Sequence, residues 1–336
     1  MIMTQIFKAY RLNKDDQEVT RGVQQITELD LPEGEVLIKV HYSSVNYKDA
    51  MANMTESPII KTYPAIPGID LAGVVVESVD DRFSEGDPVI VTSYDLGVSH
   101  DGGYSEYARV KSEWVLPLPE GMTLKQAMIY GTAGFTAALS VDQLQAQQIT
   151  PDQGPVLVTG ASGGVGSMAT AMLANLGYQV EASTGKSSAH DLLKQLGASD
   201  IVDRETVTGE KLRVIDKQIW AGAVDPVGGD TLAAIISKLK YNGAVAASGL
   251  TGGIKIPTNV YPFILRGVRL IGIDSVYCPM EKRQEIWKRM ATDLKLTDQQ
   301  FELITNREIT LEQLEETLPQ LLEGKSLGRI IVKVSS

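Results

Sequence analysis

Residues 155–177 read PVLVTGASGGVGSMATAMLANLG, and this stretch decides the fold. The apolar run Val156–Val158 predicts a strand, the glycines at positions 160, 163 and 166 predict a tight turn, and the small residues that follow predict a helix. Glycines allow backbone torsions and close approaches that a Cβ atom would forbid, so the first free N–H groups of the helix can face a pyrophosphate. The stretch therefore predicts a dinucleotide-binding site.

The residues after this turn continue the alternation of strands and helices. A second strand is predicted at 178–184, a helix at 187–196, and further strands at 223–225 and 244–248. A glycine pattern by itself also occurs in structural turns, but alternating strands and helices with short connections are typical of an α/β fold with a parallel sheet. The context favours nucleotide binding over a purely structural turn.

The end of the second predicted strand distinguishes the two nicotinamide cofactors. An NAD site usually places an Asp or Glu there, on the ribose hydroxyls. This chain reads Ser183-Thr184-Gly185-Lys186-Ser187-Ser188, so hydroxyls, a lysine and a helix start offer donors and positive charge to a 2′-phosphate. These residues favour NADPH over NADH. Glu181 is the competing acid; it comes too early on the strand and is expected to be exposed, yet it leaves some use of NADH open.

Composition limits the remaining possibilities. The 336 residues exceed what one core usually holds, so two domains are expected. A formal net charge of −11 argues against a nucleic-acid or anionic-membrane surface and favours small-molecule partners. Residues 1–14 lack the apolar core of a signal peptide, and no apolar run approaches about 18 residues, so we expect a cytoplasmic protein. Cys278 is the only cysteine, which excludes an intrachain disulfide and any multi-cysteine zinc site.

The chain on either side of the nucleotide segment has a different pattern. Strands are predicted in the first part at 35–40, 71–77, 87–92 and 104–110. Residues 124–144 predict a long helix, which places a domain boundary near residue 125. The last part predicts a strand at 268–273, helices at 281–294 and 311–322, and a strand at 329–334, with Thr310 and Gln313 as a capping box.

Several motifs occur in the order found in one known family. They are Gly34-Glu-Val36, Ser44-Val-Asn-Tyr-Lys-Asp49, Pro67-Gly-Ile-Asp-Leu-Ala-Gly73, Glu85-Gly-Asp87, Asp101-Gly-Gly-Tyr-Ser-Glu-Tyr107, Gly131-Thr-Ala-Gly-Phe-Thr-Ala137, Asp225-Pro-Val-Gly-Gly229 and Gly328-Arg329. With these motifs the chain resembles the medium-chain dehydrogenase/reductase superfamily over nearly its whole length. Pro262–Gly267 and Gly272–Tyr277 make it most similar to the YhdH/YhfP branch, which contains quinone oxidoreductases and acrylyl-CoA reductase.

The resemblance implies a GroES-like, β-rich catalytic domain and a Rossmann domain with a doubly wound parallel sheet. It assigns residues 1–125 and 265–336 to a discontinuous catalytic domain and residues 126–264 to the NADPH-binding domain. It also implies homodimers that pair edge to edge through the Rossmann sheets. The implied cofactor-binding residues are Tyr47, Gly163, Gly164, Val165, Gly166, Ser167, Met168, Thr184, Lys186, Ser187, Ser188, Arg204, Leu250, Ile264 and Ser275. For Leu250 and Ile264 a place in the core, and for Ser187 a simple helix cap, remain the structural alternatives.

The zinc-dependent members of the superfamily need a Cys and a Gly-His-Glu that this chain lacks. Asn46 stands in place of the cysteine and Gly68-Ile69-Asp70 in place of the second motif, so no metal is expected. The three histidines are far apart in sequence and none has an aligned acid. Hydride delivery to an electron-poor carbon conjugated to a carbonyl fits these residues, because only the developing oxyanion then needs donors.

The implied reaction is zinc-independent reduction of an activated double bond by NADPH, with hydride delivered to the β-carbon of acrylyl-CoA. The implied catalytic residues are Tyr47 and Asn46, with Asp70 to orient them; the structural alternative is that Asn46, Tyr47 and Asp49 close a loop and Asp70 caps a turn. Reduction of small quinones is one alternative activity. A protein that binds NADPH without turnover is an alternative of another class.

Overall fold

The structure is a computed structural model that describes residues 5–15, 18–324 and 326–335. Its strands are β1 (Ile6–Asp15), β2 (Glu18–Thr27), β3 (Val36–Ser44), β4 (Asp70–Ser78), β5 (Pro88–Thr92), β6 (Tyr107–Val110), β7 (Leu116–Pro117), β8 (Val156–Val158), β9 (Val180–Ser183), β10 (Asp200–Val202), β11 (Trp220–Asp225), β12 (Leu239–Ala247), β13 (Arg269–Gly272), β14 (Thr305–Ile309) and β15 (Arg329–Lys333). Its helices are α1 (Tyr47–Ala52), α2 (Leu124–Ala146), α3 (Gly164–Asn175), α4 (His190–Gln195), α5 (Arg204–Thr208), α6 (Gly229–Lys238), α7 (Tyr261–Arg266), α8 (Met280–Ala291), α9 (Asp298–Ile304) and α10 (Leu314–Leu322). No helix in the described ranges has the length and apolar character needed to cross a membrane.

Two compact units divide the chain. The first contains Met1–Thr132, Val276–Gln284 and Thr305–Ser336, and the second contains Ala133–Ser275 and Glu285–Ile304. The boundaries expected from the sequence lie after residues 125 and 264. The structure assigns three segments differently from those expectations: 126–132 to the first unit, and 265–275 and 285–304 to the second.

Packing explains the segments that join the second unit. Strand β13 continues the parallel sheet of that unit by pairing with β12. The Trp287 indole of α8 is buried and lies nearly parallel to the Phe135 ring of α2, with 6.3 Å between the ring centroids. The Arg289 guanidinium is 2.9 Å from a carboxylate oxygen of Asp142. These contacts involve side chains far apart in sequence, so local patterns do not reveal them.

The second unit is built on a six-stranded parallel sheet in the order β10-β9-β8-β11-β12-β13. This is the strand order of a doubly wound nucleotide-binding fold, which confirms the predicted α/β class. Strand β8 is fully buried, as expected of a central strand covered on both faces. Gly166 explains how α3 packs so closely on the turn after β8: a Cβ atom there would lie 2.4 Å from the Gly160 carbonyl oxygen.

The first unit contains a mostly antiparallel sheet with a separate β-hairpin. Its sheet order is β14-β15-β3-β4-β5-β7, with β6 paired to β3, and β1 pairs with β2 in a second sheet. The predicted strands at 35–40, 71–77 and 87–92 correspond to β3, β4 and β5. The hairpin was not predicted: Ala9 and Tyr10 are adjacent in β1 and both buried, which breaks the two-residue alternation that indicates a strand.

Helix α1 owes its start to a buried acid. The Asp49 carboxylate accepts hydrogen bonds from the backbone N–H groups of Asn46, at 2.8 Å, and Ile69, at 2.9 Å. Asp49 is fully buried. Burial, and next the charge of Asp70, raise the pKa of Asp49 to about 7. The acid that fixes the first turn of α1 therefore keeps its proton well above the usual carboxyl range.

This raised pKa predicts a pH dependence of stability. In the unfolded chain an aspartate loses its proton near pH 4, whereas folded Asp49 keeps it up to about pH 7, so its contribution falls as pH rises between these values. In Asp49→Asn an amide nitrogen replaces one of the two acceptor oxygens, and the side chain does not titrate in this pH range. We expect this variant to be less stable than the parent at pH 5 and the gap to narrow toward pH 8, by at most about 1.4 kcal/mol per pH unit.

Urea unfolding of both proteins across this pH range measures the gap. The exposed Asp81→Asn variant is the control and should show a constant difference from the parent. A gap for Asp49→Asn that does not change with pH would contradict the assignment.

Candidate active site

A buried carboxylate, that of Asp70 at the start of β4, organises the candidate site. One carboxylate oxygen accepts hydrogen bonds from the Ser44 hydroxyl at 2.6 Å, the Asn46 amide at 2.8 Å and the Thr132 backbone N–H at 2.9 Å. The other accepts from the Thr132 hydroxyl at 2.5 Å. Asp70 has no exposed surface. Its acceptor sites are thus taken up by neighbouring protein groups, and it reaches a substrate only through other residues.

A buried arginine, Arg329 at the start of β15, balances this carboxylate. Its guanidinium lies 3.9 Å from an Asp70 oxygen and donates to the Ser44 hydroxyl at 2.7 Å and to the Asn46 side-chain oxygen at 3.1 Å. It also donates to the Ile129 carbonyl at 3.0 Å. Burial lowers the pKa of Arg329 from its ordinary value, and the charge of Asp70 opposes this effect. The two opposite charges, both on buried side chains, compensate each other.

The Asn46 amide is fixed by charged groups at both ends. Its N–H groups point to the Asp70 carboxylate, at 2.8 Å, and to the Ser44 oxygen, at 3.3 Å, while its oxygen accepts from Arg329. Reversing the amide would place its oxygen against the Asp70 carboxylate. Both N–H groups of Asn46 therefore have acceptors within the protein, so the amide is held in one orientation.

Tyr47 is the first residue of α1 and directly follows Asn46. Its side chain is 45% exposed. Within the described ranges, the Tyr47 phenol takes part in no hydrogen bond or ion pair. Of the three predicted catalytic residues, the structure brings Asn46 and Asp70 into direct contact. Tyr47 stands beside them with a phenol that can donate to a ligand.

A glycine makes this packing possible. Helix α2 is kinked at Gly131, where φ is 50° and ψ is −156°. A Cβ atom at this position would lie 2.5 Å from the Asp70 carboxylate and 2.8 Å from the Ser44 hydroxyl oxygen. The Gly131-Thr132 motif was visible in the sequence, and so was Arg329, but neither had been connected with Asp70. Pairing these residues with Asp70 required the structure.

The glycine turn lies at the start of α3, as predicted. Gly163, Gly164 and Val165 are partly exposed, whereas the Ser167 and Met168 side chains are fully buried. The Ser167 N–H donates to the Gly163 carbonyl at 2.9 Å and therefore belongs to the first helical turn. Of the predicted residues 163–168, the first three are therefore the ones accessible to a ligand. Ser167 lies inside the helix and holds the Gly163 carbonyl in place.

A basic cluster follows β9. The Thr184 hydroxyl is 2.9 Å from the Ser162 hydroxyl and accepts from the Lys186 N–H at 3.2 Å. The Arg204 guanidinium lies over Gly185, where a Cβ atom would come within 2.7 Å of its central carbon. Burial, and next the charge of Arg204, lower the pKa of Lys186. The structure thus brings together Thr184, Lys186 and Arg204, and Ser187 and Ser188 form the short 3-10 turn that follows.

Glu181 has a different position from the one expected. The side chain is partly buried, and its carboxylate accepts a 2.7 Å hydrogen bond from the Trp220 indole N–H. The expectation of an exposed strand position was wrong. No local pattern indicates this contact, since Trp220 is 39 residues away.

Three of the predicted cofactor-binding residues, Leu250, Ile264 and Ser275, differ in how far they are buried. Leu250 is 59% exposed and Ile264 is 68% exposed, which excludes a place in the core of the unit for either of them. Ser275 is buried. Leu250 follows β12 and Ile264 lies in α7. Packing within the second unit leaves both apolar side chains exposed.

In the part of the chain that the structure describes, no group of three or more His, Cys, Asp or Glu residues is arranged so that it could hold a metal ion. At the position of the zinc-binding cysteine, the Asn46 oxygen faces a cation, Arg329. An arginine at this oxygen competes with a metal ion for the same lone pairs.

Comparisons with known proteins agree with this architecture. Residues 32–120 match the alcohol dehydrogenase GroES-like domain, and residues 164–292 match the zinc-binding dehydrogenase family. The chain is 54% identical to the putative quinone oxidoreductase YhfP of Bacillus subtilis, over 99% of this chain and 100% of that one. It is 46% identical to the acrylyl-CoA reductase AcuI of Ruegeria pomeroyi, over 98% and 100% of the two chains.

Two solved structures are similar over almost the whole chain. The crystal structure of Bacillus subtilis YhfP with NAD bound has a TM-score of 0.96, with 54% identity over 98% of this chain and 100% of that one. Salmonella enterica YhdH in complex with NADP has a TM-score of 0.94, with 45% identity over 98% and 100% of the two chains. The predicted combination of a GroES-like domain with a Rossmann-type domain is confirmed. The chain belongs to the YhfP/AcuI family of oxidoreductases within the medium-chain dehydrogenase/reductase superfamily.

Proposed function

We propose that the protein reduces an activated carbon–carbon double bond with NADPH, converting acrylyl-CoA to propionyl-CoA. The observation that carries this proposal is the fixed group of Asn46, Asp70 and Arg329, which leaves the neighbouring Tyr47 phenol without a protein partner among the described residues. Full-length similarity to an acrylyl-CoA reductase supports the choice of substrate.

The proposed chemistry needs a hydride donor and a group that stabilises negative charge. When bound, NADPH supplies the hydride. Hydride addition to the β-carbon leaves negative charge on the thioester oxygen, and the Tyr47 phenol donates a hydrogen bond to it. The resulting enolate then takes up a proton at the α-carbon, which gives the saturated thioester. Asn46 and Asp70 act as positioning residues, because their contacts fix the backbone from which Tyr47 begins helix α1.

Zinc plays no part in this proposal. A catalytic zinc needs three protein ligands such as Cys, His and Glu and one open position. Here the Asn46 oxygen is bound to the Arg329 guanidinium, and Ile69 offers no ligand atom. We therefore propose that turnover is insensitive to a chelator.

The cofactor preference is proposed to depend on the cations after β9. Lys186 and Arg204 lie close together beside the Thr184 hydroxyl, which suits a 2′-phosphate. Structures of relatives contain either cofactor: Bacillus subtilis YhfP has NAD bound, and Salmonella enterica YhdH is in complex with NADP. The Glu181 carboxylate is engaged by Trp220, so we propose that it does not compete for the ribose.

Removing either cation should weaken NADPH selectively. We expect Lys186→Ala and Arg204→Ala each to raise KM for NADPH about 10- to 100-fold, since a hydrogen bond to a charged group contributes about 1.5–3 kcal/mol. KM for NADH should change less than about two-fold, because NADH carries no 2′-phosphate. Steady-state kinetics with both cofactors measure this, with the exposed Lys217→Ala as the control. Equal losses with NADPH and NADH would show that these cations do not select the cofactor.

The activity itself is tested by following NADPH absorbance with acrylyl-CoA, crotonyl-CoA and a small quinone, with and without a chelator. We expect fast, chelator-insensitive turnover of acrylyl-CoA. Tyr47→Phe should lower kcat about 100-fold, as for removal of one oxyanion donor. Tyr241→Phe, at an exposed tyrosine of the second unit, is the control.

The other outcomes assign other functions. Turnover of the quinone alone would favour quinone reduction, for which the 54% identity to YhfP is the supporting observation. Tight NADPH binding without turnover of any acceptor would favour a sensor. An unchanged kcat in Tyr47→Phe would remove the proposed role of the phenol.

We also propose a cytoplasmic homodimer. Strand β13 is the last strand of the parallel sheet, so its outer edge has no strand beside it in the described chain. Leu270 on this strand and Val260, Tyr261 and Leu265 close to it in sequence are exposed. A second copy of the chain would pair with this edge and cover these side chains. A monomeric mass by light scattering would count against the dimer.

A further inference from the structure

A cavity in the first unit lies outside every site predicted from the sequence. Its volume is about 420 Å³, within the range of about 300–1,000 Å³ usual for small-molecule sites. Aromatic rings of Tyr94, Trp114 and Tyr277 line it, together with Met280. The Tyr277 side chain is 63% exposed, although it is large and apolar in part. A ligand that covers the apolar part of this side chain removes it from water, which favours binding.

The wall of the cavity is built around Tyr94. Its N–H donates to the Val276 carbonyl at 3.2 Å, and its phenol donates to the Cys278 carbonyl at 3.2 Å. Its ring is nearly parallel to Trp114, with 5.9 Å between centroids, and the buried Arg283 guanidinium lies 4.5 Å from its centroid. These contacts hold both the ring and the backbone in place, so the wall is preorganised for a ligand.

The backbone at this wall is strained. Ser93 and Tyr94 are consecutive non-glycine residues with positive φ, 66° and 51°. Left-handed conformations cost energy for such residues and cluster at ligand sites. The Thr132 hydroxyl donates its hydrogen to Asp70, so in the 2.9 Å contact between the two hydroxyls Ser93 is the donor. Two hydrogen bonds thus connect the cavity wall to the buried carboxylate of the active site.

The charges around the cavity limit what it can hold. Asp95 and Glu113 contribute carboxylates, and Lys111 is the cation in the lining. The Tyr277 phenol donates to Asp95 at 3.2 Å. Two carboxylates and one ammonium group disfavour a phosphate. They suit a neutral chain whose amide N–H groups face carboxylates, whose carbonyl faces Lys111, and whose methyl groups contact Tyr277 and Met280.

We propose that this cavity binds the pantetheine arm of the thioester substrate. The arm is neutral and flexible, carries two amides and a gem-dimethyl group, and connects the reacting thioester to its phosphates. The inference rests on the proposed enoyl-thioester reduction and adds how the enzyme recognises its substrate. Coenzyme A and the prosthetic group of an acyl carrier protein share this arm, whereas a free quinone lacks it.

The test compares two thioesters of the same acyl group. Acrylyl-CoA has the full arm, whereas acrylyl-N-acetylcysteamine retains only its end next to sulfur. We expect Tyr277→Ala and Glu113→Gln each to lower kcat/KM for acrylyl-CoA about 10-fold, as for loss of one good contact of about 1.4 kcal/mol. The value for the truncated thioester should change less than two-fold. Tyr241→Ala is the matched control, an exposed tyrosine outside the cavity.

The outcomes separate this inference from the proposed function. If the unchanged enzyme turns over neither thioester, the proposed function fails. If it turns over both, but the cavity variants lower both values equally or neither of them, the cavity does not bind the arm. Acrylyl-loaded acyl carrier protein is assayed in parallel with acrylyl-CoA, because both carry the arm. The carrier recognised by the cavity is the one whose thioester has the higher kcat/KM and whose kcat/KM falls in Tyr277→Ala.

Discussion

The ion pair between Asp70 and Arg329 is the interaction on which the first unit's site depends. Four donors converge on one buried carboxylate, and a buried guanidinium lies 3.9 Å away. Burying a charge without a partner costs several kcal/mol, so either group alone would destabilise the unit. Together they connect the starts of β4 and β15 with the end of β3, and the kink at Gly131 lets α2 approach them.

This network also determines what the site can do. It fixes the orientation of Asn46 and leaves Tyr47, the next residue, as the polar side chain presented at the surface. Asp49 belongs to the same buried group, and its pKa near 7 reflects both burial and the charge of Asp70. Through Thr132 and Ser93 the network reaches the strained turn at Tyr94. The charged residues that stabilise this unit are therefore also those to which we assign, as a proposal, the positioning of Tyr47.

The sequence predicted the features that depend on local patterns. The glycine turn, five of the six strands of the parallel sheet and the basic end of β9 each lie within a short stretch, and each was located to within about five residues. The sixth strand, β10, was not predicted. Family motifs indicated that Asn46 and Asp70 belong to one site. The cluster of Thr184, Lys186 and Arg204 followed from the same reasoning.

What the sequence did not predict depends on residues that meet only after folding. Arg329 donates to Ser44, 285 residues earlier in the chain, and no periodicity signals that contact. Glu181 was expected to be exposed because the partner that covers it, Trp220, lies on another strand. The part of α8 from Glu285 onward joins the second unit through Trp287 and Arg289, whose partners are also distant in sequence. The cavity at Tyr94 combines three distant segments and has no sequence motif.

A double-mutant cycle on the ion pair tests the central claim most directly. The free energy of unfolding would be measured in urea for the parent, Asp70→Asn, Arg329→Met and the double variant. We predict that each single change costs about 3–5 kcal/mol, because it leaves one buried charge uncompensated, and that the double change costs at least about 2 kcal/mol less than the sum. Additive costs would contradict the account, since the two residues would then act independently.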